Sequence, residues 1–184
     1  SSSFLRSKEY PEVVKDIVRL GNFVIGHNRH ATKGEINFNN THPFQEGDIK
    51  RRQITLIHNG TLHSHRHMKN VDVDSHAICH SIQEIGHIET LKKLEGAFAL
   101  VWHDNETGLL HFIHNTERPL YIAETDNLII IASEGGLIDW IISRRNAFRK
   151  VETKSVEVGH LYTYNPKTQE LSNEKVENPP KKVS

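Results

Sequence analysis

The sequence predicts an α+β fold built from layered β-sheets. Two observations support this prediction. Short apolar runs typical of strands follow one another closely in the middle of the chain, with turn residues between them. Segments with apolar residues three to four positions apart, typical of helices, are grouped before and after those runs. The 184 residues suffice for one domain with a sizeable core and are few for two.

The N-terminal part of the chain predicts a helix, two strands and a long loop. Residues 11–20 begin with a proline and carry apolar residues at helical spacing, so we expect a short helix there. Residues 22–25 and 53–58 are apolar runs that predict buried strands. Between them, residues 35–52 show little periodicity and contain many loop-forming residues, which predicts a long functional loop.

Two helices are expected after the second strand. Asp74 and Ser75 resemble a helix start, and apolar residues from Ala77 to Ile85 recur at three- to four-residue spacing. Gly86 predicts the end of that helix, because glycine readily adopts the backbone conformations found just after a helix. Residues 88–94 predict a second, shorter helix.

The C-terminal half predicts mainly strands. Turn residues separate four strand-like runs, which suits an antiparallel meander of residues 97–103, 109–114, 120–124 and 128–132. A helical pattern follows at residues 135–144, and further strand-like runs lie at residues 155–158, 160–164 and 170–171. We therefore expect one domain over residues 1–172 and a linker or disordered tail over residues 173–184.

Composition narrows the classes of function. The 23 basic and 23 acidic residues balance, which argues against a protein that binds nucleic acid through its overall charge. No apolar run reaches the roughly 18–20 residues of a membrane span, and no phosphate-binding glycine loop is present. The single cysteine, Cys79, cannot form an internal disulfide, so a reducing, cytoplasmic location is expected.

Two polar, glycine-containing motifs follow strand-like runs. The first spans residues 26–34, and the second comprises His58, Asn59 and Gly60. Polar residues at strand ends, held over a rigid sheet, commonly bind substrates or take part in catalysis. Taken alone, Asn59 and Gly60 favour a hairpin turn, because Asn-Gly is the strongest hairpin dipeptide.

Both motifs belong to an ordered set of short segments. The set comprises Gly26 to Gly34, Asn40 to Phe44, His58 to Gly60, Val73 to His76, Gly96 to Phe98, Arg118 to Tyr121 and Ala132 to Glu134. In order and spacing, this set resembles the glutaminase domain of class II glutamine amidotransferases. The resemblance implies the fold of the N-terminal-nucleophile hydrolases, an α-β-β-α sandwich of two antiparallel sheets flanked by helices.

The resemblance also implies how glutamine would be bound and hydrolysed. Asn59 and Gly60 would form an oxyanion hole, since a side-chain amide and a backbone N–H suit a tetrahedral intermediate. Arg29 would bind the α-carboxylate through its planar guanidinium, and Asp74 would bind the α-ammonium. Thr32 is included among the substrate-binding residues and is expected mainly to shape the loop that carries Arg29. No cofactor is expected.

Plainer roles remain open for two of these residues. Arg29 could instead form a surface ion pair, and Asp74 could cap the helix that begins there. Capping does not exclude binding, because one carboxylate can do both. At three other positions the chain departs from the family pattern, with His30, Lys33 and His76 in place of tryptophan, histidine and an acidic residue.

The nucleophile is not assigned. The family attacks the amide with an N-terminal cysteine whose own amine serves as the base, whereas this sequence begins with Ser1. Only 25 residues precede Gly26, fewer than the family pattern requires, so we expect the sequence to start inside the domain. Ser1 is therefore a disfavoured nucleophile. Cys79 is expected to be a small buried hydrophobe on its helix and not a catalyst.

The expected partners are L-glutamine and an ammonia-accepting synthase domain or subunit outside this sequence. No membrane partner is expected, nucleic acid is not indicated, and an oligomer is compatible with the sequence. One alternative is a non-catalytic relative that binds glutamine or a partner protein.

The other alternative is a metal-dependent hydrolase. His63, His65 and His67 would share one side of an extended chain, with Asp72 or Asp74 as a further ligand. A solvated loop rich in histidine is the favoured interpretation, so no metal site is expected.

Overall fold

The computed structural model describes residues 11, 15, 23–27, 41–125, 128–143 and 151–176. Within these residues the chain forms nine strands and three helices. In chain order they are β1 (Phe44–Gly47), β2 (Gln53–Leu62), α1 (Asp74–Ile85), α2 (His87–Leu91), β3 (Gly96–Asp104), β4 (Leu109–His114), β5 (Tyr121–Glu124), β6 (Ile129–Ala132), α3 (Gly135–Ser143), β7 (Thr153–Ser155), β8 (His160–Asn165) and β9 (Glu170–Lys175).

The strands form two antiparallel sheets. The larger sheet has six strands in the order β1-β2-β3-β4-β8-β9, and the smaller sheet has three in the order β6-β5-β7. Helices α1 and α2 cover one face of the larger sheet, whereas α3 packs on the smaller sheet. The described residues therefore form four layers, α-β-β-α, as the resemblance implied.

Two hydrophobic cores lie between these layers. The core between the helices and the larger sheet contains Ile78, Leu100 and Trp102, all fully buried. The core between the two sheets contains Ala99 and Phe112. Leu100 and Ala99 enter different cores because successive residues of a strand point to opposite faces. The larger sheet is thus buried on both sides, which explains its nearly continuous apolar strands.

Helix α1 has the bounds that its sequence predicts. It begins at Asp74 and ends at Ile85, and Gly86 follows with a φ of 84°. The Gly86 N–H donates to the Ile82 carbonyl at 3.1 Å, which satisfies one carbonyl of the last turn. Cys79, on the buried side of the helix, is fully buried, and burial raises the pKa of its thiol. The prediction that Cys79 is a small buried hydrophobe is therefore confirmed.

Three predictions for the N-terminal half are wrong. Strand β2 continues to Leu62 instead of ending at His58, because it pairs with β3 from Ile54 to Leu62. Strand β1 lies inside the loop predicted over residues 35–52, where it pairs with the start of β2. Residues 23–25 have no regular secondary structure. Apart from residues 11 and 15, which are helical, the predicted helix over residues 11–20 lies outside the described residues.

The predicted meander is divided between the two sheets. β3 pairs with β4 and β5 pairs with β6, but the chain crosses to the smaller sheet between β4 and β5. His114 fixes this crossing, since its Nδ1 lies 2.8 Å from the Arg118 carbonyl oxygen and its Nε2 lies 2.9 Å from that of Val156. Turn residues predict that a chain reverses, but not which sheet the next strand joins.

Three further differences concern the ends of elements. Helix α2 ends at Leu91 instead of residue 94, and β7 lies before the predicted strand at 155–158, because it pairs with β5 through Thr153 to Ser155. Strand β9 continues to Lys175, and Val176 packs into the core under the helices. The domain boundary predicted at residue 172 is therefore too early. Residues 177–184, which include most of the predicted tail, lie outside the described residues.

Candidate active site

The second motif lies inside a strand and not in a turn. Asn59 is paired with Ala99 and Gly60 with Phe98, in the middle of the β2–β3 ladder. The hairpin interpretation of Asn-Gly is therefore wrong.

Gly60 lies where the backbones of β2 and β3 approach each other closely. Its φ is +155°, and a Cβ at this position would lie 2.0 Å from the Ala97 carbonyl oxygen. The same Cβ would lie 2.7 Å from Nε2 of His58. Both distances are shorter than van der Waals contact, so this position accepts glycine and no larger residue without movement of the strand.

Backbone hydrogen bonds show in which direction the N–H and C=O of Gly60 point. In an antiparallel ladder, the N–H and C=O of one residue point to the same neighbouring strand, and successive residues alternate. Opposite Gly60, the Phe98 N–H donates to Asn115 Oδ1 at 3.2 Å, and the Phe98 carbonyl accepts from the Asn115 N–H at 3.0 Å. Because both groups of Phe98 point to the β4 side, the N–H and C=O of Gly60 point away from β3.

On that side, β2 has a free edge among the described residues. Strand β1 pairs with β2 only as far as Leu56. Leu62, two residues beyond Gly60, directs its N–H to the same side, where it donates to Oδ2 of Asp74 at 2.8 Å. The N–H groups of Gly60 and Leu62 are about 7 Å apart along the strand. The Gly60 N–H and the Asp74 carboxylate therefore lie side by side along one edge, which we call the open edge of β2.

Asp74 is the first residue of α1 and is held from two directions. Its Oδ1 accepts a hydrogen bond from the Ser75 N–H at 2.8 Å, in addition to the bond between Oδ2 and Leu62. The side chain is 17% exposed. A carboxylate has about four acceptor positions, so at least one remains for a ligand. Val73, not Asp74, occupies the N-cap position of the helix, and no side-chain hydrogen bond caps it there.

His58 lies beneath the open edge, on the helix-facing side of β2. It is 3% exposed, and its Nδ1 lies 3.0 Å from the Ser75 hydroxyl and 3.9 Å from Oδ1 of Asp74. Burial lowers the pKa of His58, although the Asp74 carboxylate and the Ala97 carbonyl act in the opposite direction. The ring is therefore neutral near pH 7.

The first motif affects His58 through its charge. The positive charge of a protonated His27, the last described residue of that motif, would lower the pKa of His58. The His27 ring also lies 4.0 Å from that of His42, which precedes β1. The predicted binding residues Arg29 and Thr32, and the departures His30 and Lys33, lie outside the described residues.

Asn59 lies on the opposite face of β2 from His58. It shares that face with Ile57, which lines a cavity of about 560 Å³ between the two sheets. The walls of this cavity are mostly apolar, with Val101 and Ile131 among them.

The three histidines of the metal hypothesis do not converge. Residues 63–67 form a bend and a turn instead of an extended strand. His63 and His67 are exposed, and Nε2 of His65 lies 2.8 Å from the Val71 carbonyl oxygen. Among the described residues, no group of three or more His, Cys, Asp or Glu side chains is placed to hold a metal ion. The geometry therefore gives the metal-dependent hydrolase no support.

His76, at the family's acidic position, lies away from the open edge. Its Nε2 contacts Glu46 on β1, and its ring stacks on Phe44 with centroids 5.5 Å apart. Glu46 also contacts Lys69, and one of its oxygens lies 3.3 Å from His80 Nδ1. Partial burial raises the pKa of Glu46, but the hydrogen bonds outweigh this effect and hold the pKa below its usual value. This cluster fastens β1 to α1.

Sequence reasoning assigned no role to His58 and Ser75. The signal for His58 was present, because it follows Ile54 and Leu56 at two-residue spacing and must face the same core. A polar residue on this buried face of the strand requires a hydrogen-bond partner. The partner, Ser75, could not be identified without knowing how α1 packs on β2.

Comparisons with known proteins show which family this chain resembles. A family model described as glutamine amidotransferases class-II matches residues 6–156. The glutamine–fructose-6-phosphate aminotransferase of Listeria monocytogenes is 30% identical over 159 residues, and that of Pyrococcus horikoshii is 33% identical over 142. These alignments cover 71% and 65% of this chain but 26% and 22% of the relatives. The chain thus spans about a quarter of the length of such relatives.

Solved structures support the fold. Glutamine phosphoribosylpyrophosphate amidotransferase from Bacillus subtilis has a TM-score of 0.65 at 20% identity. An allosteric regulatory enzyme of purine biosynthesis has a TM-score of 0.67 at 21% identity. Each match covers 82% of this chain and 34% of the other. At these identities the similarity establishes the fold alone. None of the described helices combines the length and apolar character that crossing a membrane requires.

Proposed function

The chain belongs to the class II glutamine amidotransferases, and on this basis we propose that it binds L-glutamine at the open edge of β2 for hydrolysis of the side-chain amide. The observation that carries the proposal is the spacing along this edge. An extended glutamine places its α-ammonium about 6 Å from its side-chain carbonyl oxygen, as five bonds of ordinary length allow. Along β2 the Gly60 N–H lies about 7 Å from the Leu62 N–H, which donates to the Asp74 carboxylate, and this spacing is comparable.

The chemistry of each group fits this orientation. The Asp74 carboxylate would accept hydrogen bonds from the α-ammonium, and its remaining acceptor position supports this role. The Gly60 N–H would donate to the oxygen of the amide, with the Asn59 side-chain amide as the second donor. As a nucleophile attacks the amide carbon, the C=O electrons move onto that oxygen. These two donors would stabilise the oxyanion until the C–N bond breaks and ammonia leaves.

The remaining contacts are proposed from the resemblance. Arg29 would bind the α-carboxylate of glutamine through two parallel hydrogen bonds, and Thr32 would shape the loop around it. The nucleophile stays unassigned. Cys79, the one cysteine of the sequence, is fully buried in α1 with a raised pKa, so it cannot serve as the attacking thiolate.

For the whole protein, we propose that the released ammonia passes to a synthase domain or subunit. The curated relatives are glutamine–fructose-6-phosphate aminotransferases, and three quarters of their length lies outside the aligned region. A synthase part of this kind is the expected acceptor, and oligomer formation is part of the proposal. A cytoplasmic location is proposed because the sequence holds a single cysteine and no potential disulfide pair.

A second candidate function is glutamine binding without hydrolysis. The observation in its favour is that the only cysteine of this sequence is buried away from the open edge. Ammonia release from glutamine by the complete natural protein, measured with a coupled dehydrogenase, would exclude it. Glutamine binding with no detectable ammonia would support it.

The binding proposal is tested through Asp74. We expect Asp74→Asn to weaken L-glutamine binding by roughly 10- to 100-fold, because a charged hydrogen bond contributes about 1.5 to 3 kcal/mol. The measurement is isothermal calorimetry on the complete natural protein. Binding of 4-carbamoylbutanoate, which is glutamine without its α-ammonium, should change little. Equal loss for both ligands, or no loss for either, would contradict the assignment of Asp74 to the α-ammonium.

A further inference from the structure

A continuous chain of contacts connects the Gly60 backbone to the Asp74 carboxylate through the interior. The Nε2 of His58 fills the space beside Gly60 where a Cβ would otherwise lie. The Nδ1 of the same ring bonds the Ser75 hydroxyl at 3.0 Å. Ser75 in turn contacts Oδ1 of Asp74 through its N–H at 2.8 Å and its hydroxyl at 3.4 Å.

We propose that His58 is a positioning residue for glutamine recognition, which acts through Ser75 to hold the Asp74 carboxylate opposite the α-ammonium of the substrate. This inference rests on the proposed function and goes beyond it, since His58 itself does not touch glutamine. The imidazole sets the distance between β2 and the start of α1. It thereby fixes the spacing of the two groups that bind the ends of the substrate.

The environment of His58 argues for a specific role. Its neighbours on the same face of β2, Ile54 and Leu56, are fully buried apolar residues. A third apolar residue would pack there without the cost of burying an imidazole. Ser75 is buried as well, at 3% exposure. Of the groups this polar pair contacts, the Asp74 carboxylate is the one that reaches solvent.

Either neutral form of the ring supports the same arrangement. With the proton on Nδ1, His58 donates to the Ser75 oxygen, and the Ser75 hydroxyl is free to donate to Asp74. With the proton on Nε2, the Ser75 hydroxyl donates to Nδ1, and its N–H alone holds Asp74. In both forms the hydrogen bond between Nδ1 and Ser75 fixes the first turn of α1 against β2.

The test is a pair of substitutions at His58. In His58→Asn the amide nitrogen is attached to Cγ, as Nδ1 is in histidine, so the bond to Ser75 is retained. In His58→Leu that bond is lost while the volume is largely kept. We expect His58→Leu to weaken L-glutamine binding roughly tenfold, the loss typical of one hydrogen bond in a coupled set. His58→Asn should stay within about threefold of the natural protein.

The readout that separates positioning from simple packing is ligand discrimination. The complete natural protein is titrated with L-glutamine and with 4-carbamoylbutanoate. We define the ratio as the dissociation constant for 4-carbamoylbutanoate divided by that for L-glutamine. We expect this ratio to fall about tenfold in His58→Leu and in Ser75→Ala, with no further fall in the double variant. A ratio that stays constant in His58→Leu, or falls equally in His58→Asn, would overturn the proposal.

His111 supplies a matched control. It is buried to 5% exposure on the same face of the sheet, and its Nδ1 bonds a hydroxyl, that of Thr163, at the same 3.0 Å. His111→Leu should leave the ratio unchanged, and a fall there equal to that in His58→Leu would also overturn the proposal. If the natural protein does not bind glutamine at all, the proposed function fails. If it binds and the ratio does not respond, the inference about His58 alone fails.

Discussion

Two groups of side chains on the helix-facing side of the larger sheet invite comparison. The site cluster consists of His58, Gly60, Asp74 and Ser75, and the stacked cluster consists of His87, Trp102 and His111. Each has a buried histidine whose Nδ1 lies 3.0 Å from a hydroxyl oxygen, in one case of Ser75 and in the other of Thr163. The two histidines differ in what lies beyond that hydroxyl.

In the stacked cluster, the hydrogen bond ends inside the sheet. The His111 ring stacks on Trp102 with centroids 5.1 Å apart, and the His87 ring lies 4.9 Å away. Burial, together with the positive charge of a protonated His87, lowers the pKa of His111 to about 4. Within this cluster, no contact leads from His111 to a charged group exposed to solvent. His111 therefore contributes packing and a neutral hydrogen bond.

In the site cluster, the hydrogen bond leads to a partly exposed carboxylate at the free edge of a strand. The first neighbour of both histidines is a hydroxyl group, so it does not distinguish them. The group beyond that hydroxyl determines whether a buried histidine can affect a binding site. The pKa direction does not separate the two, since burial lowers the pKa of both rings. The connection through Ser75 to Asp74 distinguishes His58 from His111.

The largest effect on stability is expected at Gly60. In Gly60→Ala the new Cβ would lie 2.0 Å from the Ala97 carbonyl oxygen, so β2 and β3 must separate. We expect the free energy of unfolding to fall by about 2 to 4 kcal/mol. Urea denaturation of this chain, followed by the fluorescence of the buried Trp102, measures the change.

Gly136 provides the control for that substitution. It lies in α3, and a Cβ there would have no atom within 4 Å. Gly136→Ala should change stability by about 1 kcal/mol or less, in the stabilising direction, because alanine favours helix. Similar losses in the free energy of unfolding for the two variants would show that the close approach of β2 and β3 at Gly60 has no energetic consequence. This result would contradict the geometry assigned to the site cluster.

A smaller effect is expected from titration of the stacked cluster. Above about pH 6.5, His111 is neutral in both the folded and the unfolded chain, and its contribution to stability is complete. As the pH falls below that value, the unfolded chain binds a proton and the folded chain does not until about pH 4. Stability should therefore decline between these pH values, by at most about 1.4 kcal/mol per pH unit for this group.

His111→Asn tests this pH dependence. Asparagine keeps a donor near the Nδ1 position and does not titrate, so the decline between pH 6.5 and 4 should become shallower than in the natural chain. His58, His87 and His103 retain their lowered pKa values and account for the remaining slope. An unchanged slope, measured by urea denaturation at several pH values, would mean that His111 is not neutral in the folded chain at low pH.

Much of the fold was predictable because the local patterns were strong. Helix α1 and strand β4 have the bounds that periodicity and turn residues indicate. The passage of β2 through Asn-Gly was not predictable, since pairing with β3 overrides the turn preference of that dipeptide. Strand β1 was missed because its four residues show no alternation and depend on β2 for their hydrogen bonds.

The candidate residues of the site came from the resemblance, whereas their geometry could not be derived from the sequence. Resemblance alone pointed to Asn59, Gly60 and Asp74. The structure places Gly60 and the Asp74 carboxylate along one edge of β2, and the Asn59 side chain on the opposite face of that strand from His58. The orientation of the Gly60 N–H depends on the strand register and on Asn115, which lies 55 residues away in the sequence. The connection between His58 and Ser75 depends on how a helix packs on a sheet. Neither relation leaves a trace in local sequence patterns.

The central claim is that β2 carries the oxyanion hole of a glutaminase, and turnover by an Asn59→Ala variant tests it most directly. In the complete natural protein we expect kcat for ammonia release from L-glutamine to fall by about 100- to 1000-fold, because one preorganised donor to the oxyanion is lost. The dissociation constant for glutamine should stay within a few-fold. Asn105→Ala, in the turn after β3, should leave kcat unchanged. Undiminished kcat in Asn59→Ala would contradict the account.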